Sequence, residues 1–270
     1  GVSVASALNW YLKNHCNFEL TWNGPGCGMP SSFPRDIDHV RKVSQHRYRY
    51  YLNYCTFSYT MAWWDWERWQ KEIDWMALNG INMPLAITGE EAIWQRVYRK
   101  MGLTDSELSE FFTGPAFFGW FYMNNMDEWG GPLPQSWIDS HEKLQRKILE
   151  RESELGMMPV LPAFTGHIPK AYAKRNPGAQ IDSVEWHGQE GHNVYMLNPN
   201  DERFSRIGKA FLEEQKKAYG TSHNYSSDIF NELMPPSDEP AYLAKTSAAV
   251  YETMKSADKD AVWVMQGWLF

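Results

Sequence analysis

Cysteine is scarce in this chain: Cys16, Cys27 and Cys55 are the three among 270 residues. That is too few for a disulfide framework, and an odd count leaves at least one thiol without an internal partner. Cys16 and Cys27 flank a short loop holding Gly24, Pro25 and Gly26, so they either pair across it or remain free thiols. No long uncharged apolar run occurs, and mean hydropathy is -0.56, so no segment is suited to span a bilayer. Basic residues are outnumbered, 26 Lys and Arg against 33 Asp and Glu, for a net charge of -7, which argues against a basic face for a nucleic-acid backbone. Catalytic fingerprints are missing as well. There is no HExxH or CxxC for zinc, no GxxxxGK[ST] for phosphates and no GxSxG elbow. No charged and apolar leader opens the chain at Gly1. The tripeptide Asn224-Tyr225-Ser226 fits a glycosylation sequon, a short match that leaves the compartment open.

What the chain has in excess is aromatic surface: 15% of residues, with 14 Trp and 14 Tyr. Such side chains fill cores, and they also serve as platforms for sugar rings and other amphipathic ligands. Hydrophobic residues at 43% and charged residues at 22% are an ordinary globular balance, and the length suits one α/β barrel or two smaller domains.

Residues 1–51 read as a lead-in, with a helix over 2–12, a strand over 18–22 and an edge strand or linker over 47–51. From Tyr54 onward short apolar runs alternate with long amphipathic ones. Strands are expected at 54–61, 82–87, 158–161, 227–230 and 261–265. Helices are expected at 65–78, 90–101, 106–112 (capped by Thr104), 136–155, 201–219 and 239–254. The segment 162–200 is polar with little periodicity. This strand-then-helix order points to parallel βαβ units, and eight of them would close a barrel. The final Trp268-Leu269-Phe270 follow directly on a strand, where a further loop is expected, so the chain reads as a fragment of a longer protein.

In parallel α/β folds, functional side chains project from the C-terminal ends of strands. That rule selects Ser58, Tyr59 and Trp63, then Thr88, Gly89, Glu90 and Glu91, then Thr165, Gly166 and His167. Asn231 and Glu232 follow, and last Gln266, Gly267 and Trp268. Asp228-Ile229-Phe230-Asn231-Glu232 is the most informative stretch. An apolar pair leads into an amide and a carboxylate, and Pro235-Pro236 then blocks helix continuation. A glutamate held there among aromatics can give a proton to a leaving oxygen; placed in solvent before a loop, it has no such role. Glu90 reads as an ordinary acid complementing a helix N-terminus, and Glu91 is open. The cluster Trp63-Trp64-Asp65-Trp66-Glu67-Arg68-Trp69 has partly helical spacing and is expected to pack a helix. His167, His187 and His192 match no metal spacing and read as loop histidines.

Several runs resemble the α-N-acetylglucosaminidase family, glycoside hydrolase family 89. They are Arg49-Tyr50-Tyr51-Leu52-Asn53-Tyr54-Cys55-Thr56, Trp63-Trp64-Asp65-Trp66 and the stretch from Glu72 to Asn82. Phe111-Phe112-Thr113-Gly114-Pro115-Ala116-Phe117, Phe230-Asn231-Glu232 with Pro235-Pro236, and Gln266-Gly267-Trp268-Leu269-Phe270 continue the match in order. The resemblance implies a retaining exo-glycosidase acting on terminal α-linked N-acetylglucosamine. Lysosomal members act on heparan sulfate and bacterial members on host glycans, so a lysosomal or secreted setting is implied. It implies a (β/α)₈ (TIM) barrel after a small α/β domain, with residues 1–51 ending that domain and 52–270 forming the first part of the barrel. Matched residue by residue, Glu232 is the general acid/base and Asn231 the neighbouring sugar-binding amide. Asn53, Cys55 and Tyr59 are pocket residues, Trp120 and Met123 surround the sugar, Trp186 covers it, and Trp268 forms the pocket floor. No metal or organic cofactor is implied. The family's second glutamate, the nucleophile, comes from a strand beyond Phe270, and the remainder of the barrel and a C-terminal helical domain would complete the pocket. A glycan-binding module without catalysis, or an assembly fragment, are the competing expectations.

Overall fold

The computed structural model describes residues 1–26, 28, 30–186 and 191–267. The expectations for Cys27, His187 and Trp268 lie outside the described residues, as does any Cys16–Cys27 pairing. The chain forms two compact units. One comprises Gly1–Leu52, Trp64–Leu85 and Lys147–Pro159; the other comprises Asn53–Trp63, Ala86–Arg146 and Val160–Phe270.

In the first unit the helix Val2–His15 packs on the helix Trp66–Leu78, with Asn9 Nδ2 donating to the Leu78 carbonyl at 2.9 Å. Asp65 caps the second of these helices by accepting from the Arg68 N–H at 2.9 Å. Trp64 and Trp69 meet edge to face at 5.2 Å, so these two rings of the Trp cluster pack as expected. The strands Tyr50–Tyr51 and Met83–Pro84 run parallel, and Leu20–Thr21 pairs antiparallel with Gly24–Pro25.

The second unit carries a parallel sheet with Asn224–Ser226 at its centre, flanked by Leu161–Pro162 and Val262–Val264. The helix Glu202–Tyr219 links the first two of these strands in the chain and Pro240–Ala257 the next two. Alongside, the Ala86 N–H donates to the Val160 carbonyl at 2.9 Å. Helix Glu90–Lys100 packs on Glu202–Tyr219, where Trp94 lies 4.4 Å from Phe211 and 5.6 Å from Phe164, ring to ring. Much of the aromatic excess is therefore core. Thr104 and Glu107 form the expected capping box at the start of Asp105–Ser109.

Three expectations are corrected. Residues 54–61 do not form a strand: they turn as 3₁₀ helices over Tyr54–Ser58 and Met61–Trp63, and the strand is the preceding Tyr50–Tyr51. The strand expected at 227–230 ends at Ser226, and Ile229–Glu232 are a turn. The polar segment 162–200 is structured, with an antiparallel sheet of His167–Ile168, Asn193–Leu197 and Ile181–Glu185 in that order. The sequon is also accounted for: all three residues of Asn224–Ser226 are buried in the central strand, so Asn224 is not a surface acceptor.

Candidate active site

The central strand is held firmly where it ends. The Ala163 N–H donates to the Ser226 carbonyl at 2.8 Å, Ser227 Oγ to the Phe164 carbonyl at 3.1 Å, and Trp263 Nε1 to the Ser227 carbonyl at 3.0 Å. The chain then turns, the Leu233 N–H returning to the Phe230 carbonyl at 3.1 Å. Glu232 lies in this turn with φ of 54°, a left-handed conformation that costs a non-glycine residue about 1–2 kcal/mol. Two buried amides brace the turn. Asn124 Nδ2 donates to the Asp228 carbonyl at 2.9 Å and Asn125 Nδ2 to the Asn231 carbonyl at 3.0 Å. Asn124 is itself left-handed, with φ of 65°, a conformation asparagine tolerates better than most residues.

The carboxyl of Glu232 is half-buried, and Trp186 Nε1 donates to its Oε2 at 3.0 Å. The Trp186 ring lies 6.4 Å from Trp120, and the Trp120 ring 6.4 Å from Phe117. Trp120 belongs to the short helix Phe118–Tyr122, which seats closely on the 3₁₀ turn Tyr54–Ser58 through Gly119. A β-carbon there would lie 2.8 Å from Ser58 Oγ and 3.2 Å from Cys55 Cα. That seating brings Cys55 Sγ to 3.7 Å from Met123 Sδ. Burial, and then the negative charge of Glu232, push the Cys55 thiol up, which favours the neutral thiol over the thiolate.

Asn231 is 2% exposed, and neither its Oδ1 nor its Nδ2 has a partner among the described residues. Two unpaired buried polar atoms on one amide suit a ligand that both donates and accepts hydrogen bonds. A hollow of about 230 Å³ adjoins it, lined by Asp228, Phe230, Asn231, Leu243, Trp263 and Gln266. Burial pushes the Asp228 carboxyl up.

Of the residues expected from the sequence, the structure brings together Glu232, Trp186 and Trp120, and separately Cys55 and Met123, with Cys55 within the field of Glu232. Asn53 serves as a cap, its Oδ1 accepting from the Thr56 N–H at 3.3 Å. Tyr59 is 72% exposed, and the structure does not join it to the cluster. Glu90 opens the helix Glu90–Lys100 as expected, but it is not an ordinary surface acid. It is buried, as is Glu91, and they accept from Trp94 Nε1 at 2.8 Å and from the Tyr122 hydroxyl at 2.6 Å respectively. His167, expected in a loop, instead lies buried in the strand His167–Ile168, with its Nε2 2.6 Å from Asp127 Oδ1 and its ring between those of Phe111 and Phe121. His192 packs against the Trp129 ring at 4.9 Å. The braces Asn124 and Asn125 were not legible beforehand; the one signal was an Asn-Asn pair just past an aromatic helix.

The family model for the α-N-acetylglucosaminidase (NAGLU) TIM-barrel domain matches residues 49–270, and that for the N-terminal domain matches residues 1–35. The chain belongs to the α-N-acetylglucosaminidase family. Human α-N-acetylglucosaminidase is 47% identical over 276 residues, covering 100% of this chain and 37% of the human protein. A family 89 glycoside hydrolase from Clostridium perfringens has been solved with 2-acetamido-1,2-dideoxynojirmycin. A variant of it with two glutamates replaced by glutamine has been solved with its substrate, GlcNAc-α-1,4-galactose. Each resembles this chain with a TM-score of 0.93 at 36% identity, covering 100% of this chain and 31% of the other. The chain thus spans about a third of the length of the relatives it matches. Its parallel strands and intervening helices are part of the TIM-barrel domain of this family, as the α/β reading of the sequence expected.

Proposed function

We propose that the protein of which this chain is part is a retaining exo-α-N-acetylglucosaminidase, with Glu232 as its general acid/base. The observation that carries the reading is the Glu232 carboxyl, held in a strained turn at the end of the central strand with one oxygen bound by the Trp186 indole. In the first step Glu232 gives its proton to the glycosidic oxygen as the bond to the anomeric carbon breaks. A second carboxylate forms the glycosyl ester on the opposite face. In the next step Glu232, now a carboxylate, takes a proton from water as that water displaces the ester, so two inversions give retention. The family resemblance assigns the second carboxylate to a later strand, and no residue of this chain is given that role. The substitution of two glutamates in the substrate-bound bacterial relative supports a pair. Trp120 and Trp186 supply apolar faces for the sugar ring, and the Asn231 amide suits its acetamido and hydroxyl groups. Cys55 and Met123 wall the pocket; Asn53, Tyr59 and Trp268 keep their pocket assignments from the resemblance alone. The substrate class is a glycan ending in α-linked N-acetylglucosamine, with heparan sulfate as the natural polymer and a lysosomal or secreted setting drawn from the family.

The test uses the full-length protein. An aryl α-N-acetylglucosaminide should be hydrolysed with the α-anomer released first, and Glu232→Gln should lower kcat/KM on an unactivated disaccharide by about 100-fold or more. Undiminished turnover by Glu232→Gln, or first release of the β-anomer, would overturn the reading.

A further inference from the structure

We propose that Asn125, aided by Asn124, is the positioning residue for the acid/base. Its buried amide holds the Asn231–Glu232 peptide so that the Glu232 carboxyl faces the leaving oxygen. The proposal deepens the acid/base reading of Glu232 and rests on it.

The argument begins with peptide geometry. The Asn231 carbonyl oxygen and the Glu232 N–H lie in one rigid plane. Anchoring that oxygen to Asn125 Nδ2 at 3.0 Å fixes the plane, and with φ held at 54° the direction of the Glu232 Cα–Cβ bond is fixed too. Rotation of the unanchored peptide would relieve the left-handed strain and swing the side chain away. Asn125 is well placed to resist this, being 1% exposed with its own N–H donating to the Trp120 carbonyl at 2.8 Å. The connection closes on itself. Asn125 is tied to Trp120, the Trp120 ring meets Trp186, the Trp186 indole binds Glu232, and the peptide before Glu232 returns to Asn125. The acid is thus held at its backbone by Asn125 and at its carboxylate by Trp186, and the two holds meet at the Trp120 ring.

Asn124 repeats the device one step earlier in the turn. Thr165 Oγ1 donates to Asn124 Oδ1 at 2.6 Å, which leaves Nδ2 to donate to the Asp228 carbonyl at 2.9 Å. Both ends of the segment from Asp228 to Asn231 are therefore anchored by consecutive side chains, neither of which contacts the Glu232 carboxyl in the described hydrogen bonds.

A displaced acid has a signature that general loss of stability lacks: it fails on leaving groups that need protonation and spares those that do not. Full-length Asn125→Ala, Asn124→Gly and Glu232→Ala would be assayed on GlcNAc-α-1,4-galactose and on 2,4-dinitrophenyl α-N-acetylglucosaminide, with and without azide. Thermal unfolding would be followed in parallel. Asn125→Ala is expected to lose about 100-fold in kcat/KM on the disaccharide and under about tenfold on the dinitrophenyl glycoside. Azide, which attacks the glycosyl ester without a base, should raise the dinitrophenyl kcat of this variant and of Glu232→Ala alike. Equal losses on both substrates, or unchanged rates, would overturn the proposal. Asn124→Gly keeps the left-handed backbone and removes the Asp228 anchor together with the Thr165 bond that orients it, while leaving Asn125 in place. It should show the same split in weaker form, and it decides the matter if Asn125→Ala does not fold, equal losses again overturning it. A Glu232→Ala protein with no dependence on the leaving group would instead remove the acid/base reading itself.

Discussion

Glu72 shows how much one buried charge can organise. It is 1% exposed, its Oε1 accepts from Trp22 Nε1 and the Tyr51 hydroxyl at 2.9 Å each, and Arg68 Nη2 lies 2.9 Å from its Oε2. Truncation would strand a cation and two donors from three parts of the chain, and Arg68 also lies over the Trp64 ring at 3.8 Å. Glu72→Ala is expected to destabilise the fold by about 3 kcal/mol, toward the low end for a broken buried pair because Arg68 keeps some solvent. The measurement is a lower urea midpoint at unchanged slope; an unmoved midpoint would place the cluster with surface pairs of little net value. Glu72 was not singled out in the sequence, since an acid four residues after an arginine in a helix looks like a solvated pair. Glu90 was misread for the same kind of reason: an acid in the first turn fits the helix dipole, and only Trp94 and the surrounding core reveal its burial. Glu232 drew notice because an apolar pair, an Asn-Glu pair and two prolines stand together locally, but that pattern left its role open and the acid/base assignment came from the family resemblance. The Asn124 and Asn125 braces reach across 104 and 106 residues of chain, and no local pattern encodes such a contact.

Long helices were read closely because their signals are local, whereas the short Phe118–Tyr122 and Lys170–Arg175 went unread. The side chains of Asp65, Thr104 and Asp201 cap the helices that follow them, and the amphipathic repeat marks their length. Strands of two or three residues carry too little alternation to be bounded: those sought at 82–87 and 261–265 are shorter than expected, Tyr50–Tyr51 falls in the stretch read as an edge strand or linker, and the one sought at 54–61 is absent. In that segment Thr56 Oγ1 donates back to the Asn53 carbonyl at 2.7 Å, a local bond that favours a turn over a ladder. The antiparallel sheet within 162–200 was missed because its Ile181–Glu185 strand alternates polar with intermediate positions and buries no continuous face. Pairs of elements carry their own constraint. Helices Glu202–Tyr219 and Pro240–Ala257 approach so closely at Gly208 that an added β-carbon would lie 2.5 Å from Thr253 Cγ2 and 3.3 Å from Phe164 Cβ. Gly208→Ala should therefore cost about 1–3 kcal/mol, despite alanine's better helix propensity, and Thr253→Ser in the same chain should recover part of it. A Gly208→Ala protein with a raised melting temperature would show that the two helices part without cost.

For the molecule as a whole, buried acids set a direction in pH. Burial first, and then the neighbouring Glu91 charge, push Glu90 from 4.5 up to about 8; burial pushes Glu91 from 4.5 up to about 7 against the Tyr122 hydrogen bond. Glu152 is also pushed well up by burial. A carboxyl with a raised value in the fold binds its proton more tightly there than in the unfolded chain. Its contribution is complete below the unfolded value and is lost as pH rises through the folded one. Between about pH 5 and pH 8 stability should fall by an amount on the order of a few kcal/mol. Other carboxylates act on the acid side. Hydrogen bonds from Lys100 and Lys217 hold Glu214 below its ordinary value, and those from the Gln180 N–H and Arg203 outweigh burial at Asp201. Their contribution is present above the unfolded value and disappears as pH falls through the folded one, so melting temperature should peak near pH 5 and decline on both sides. Thermal melts from pH 3 to pH 9 check the shape, and Glu91→Gln, which keeps an acceptor for Tyr122 but no titrating proton, should flatten the alkaline limb. A melting temperature that climbs from pH 5 to pH 8 would mean that Glu90 and Glu91 find water or a cation on ionising, and that the fold is not built around protonated acids.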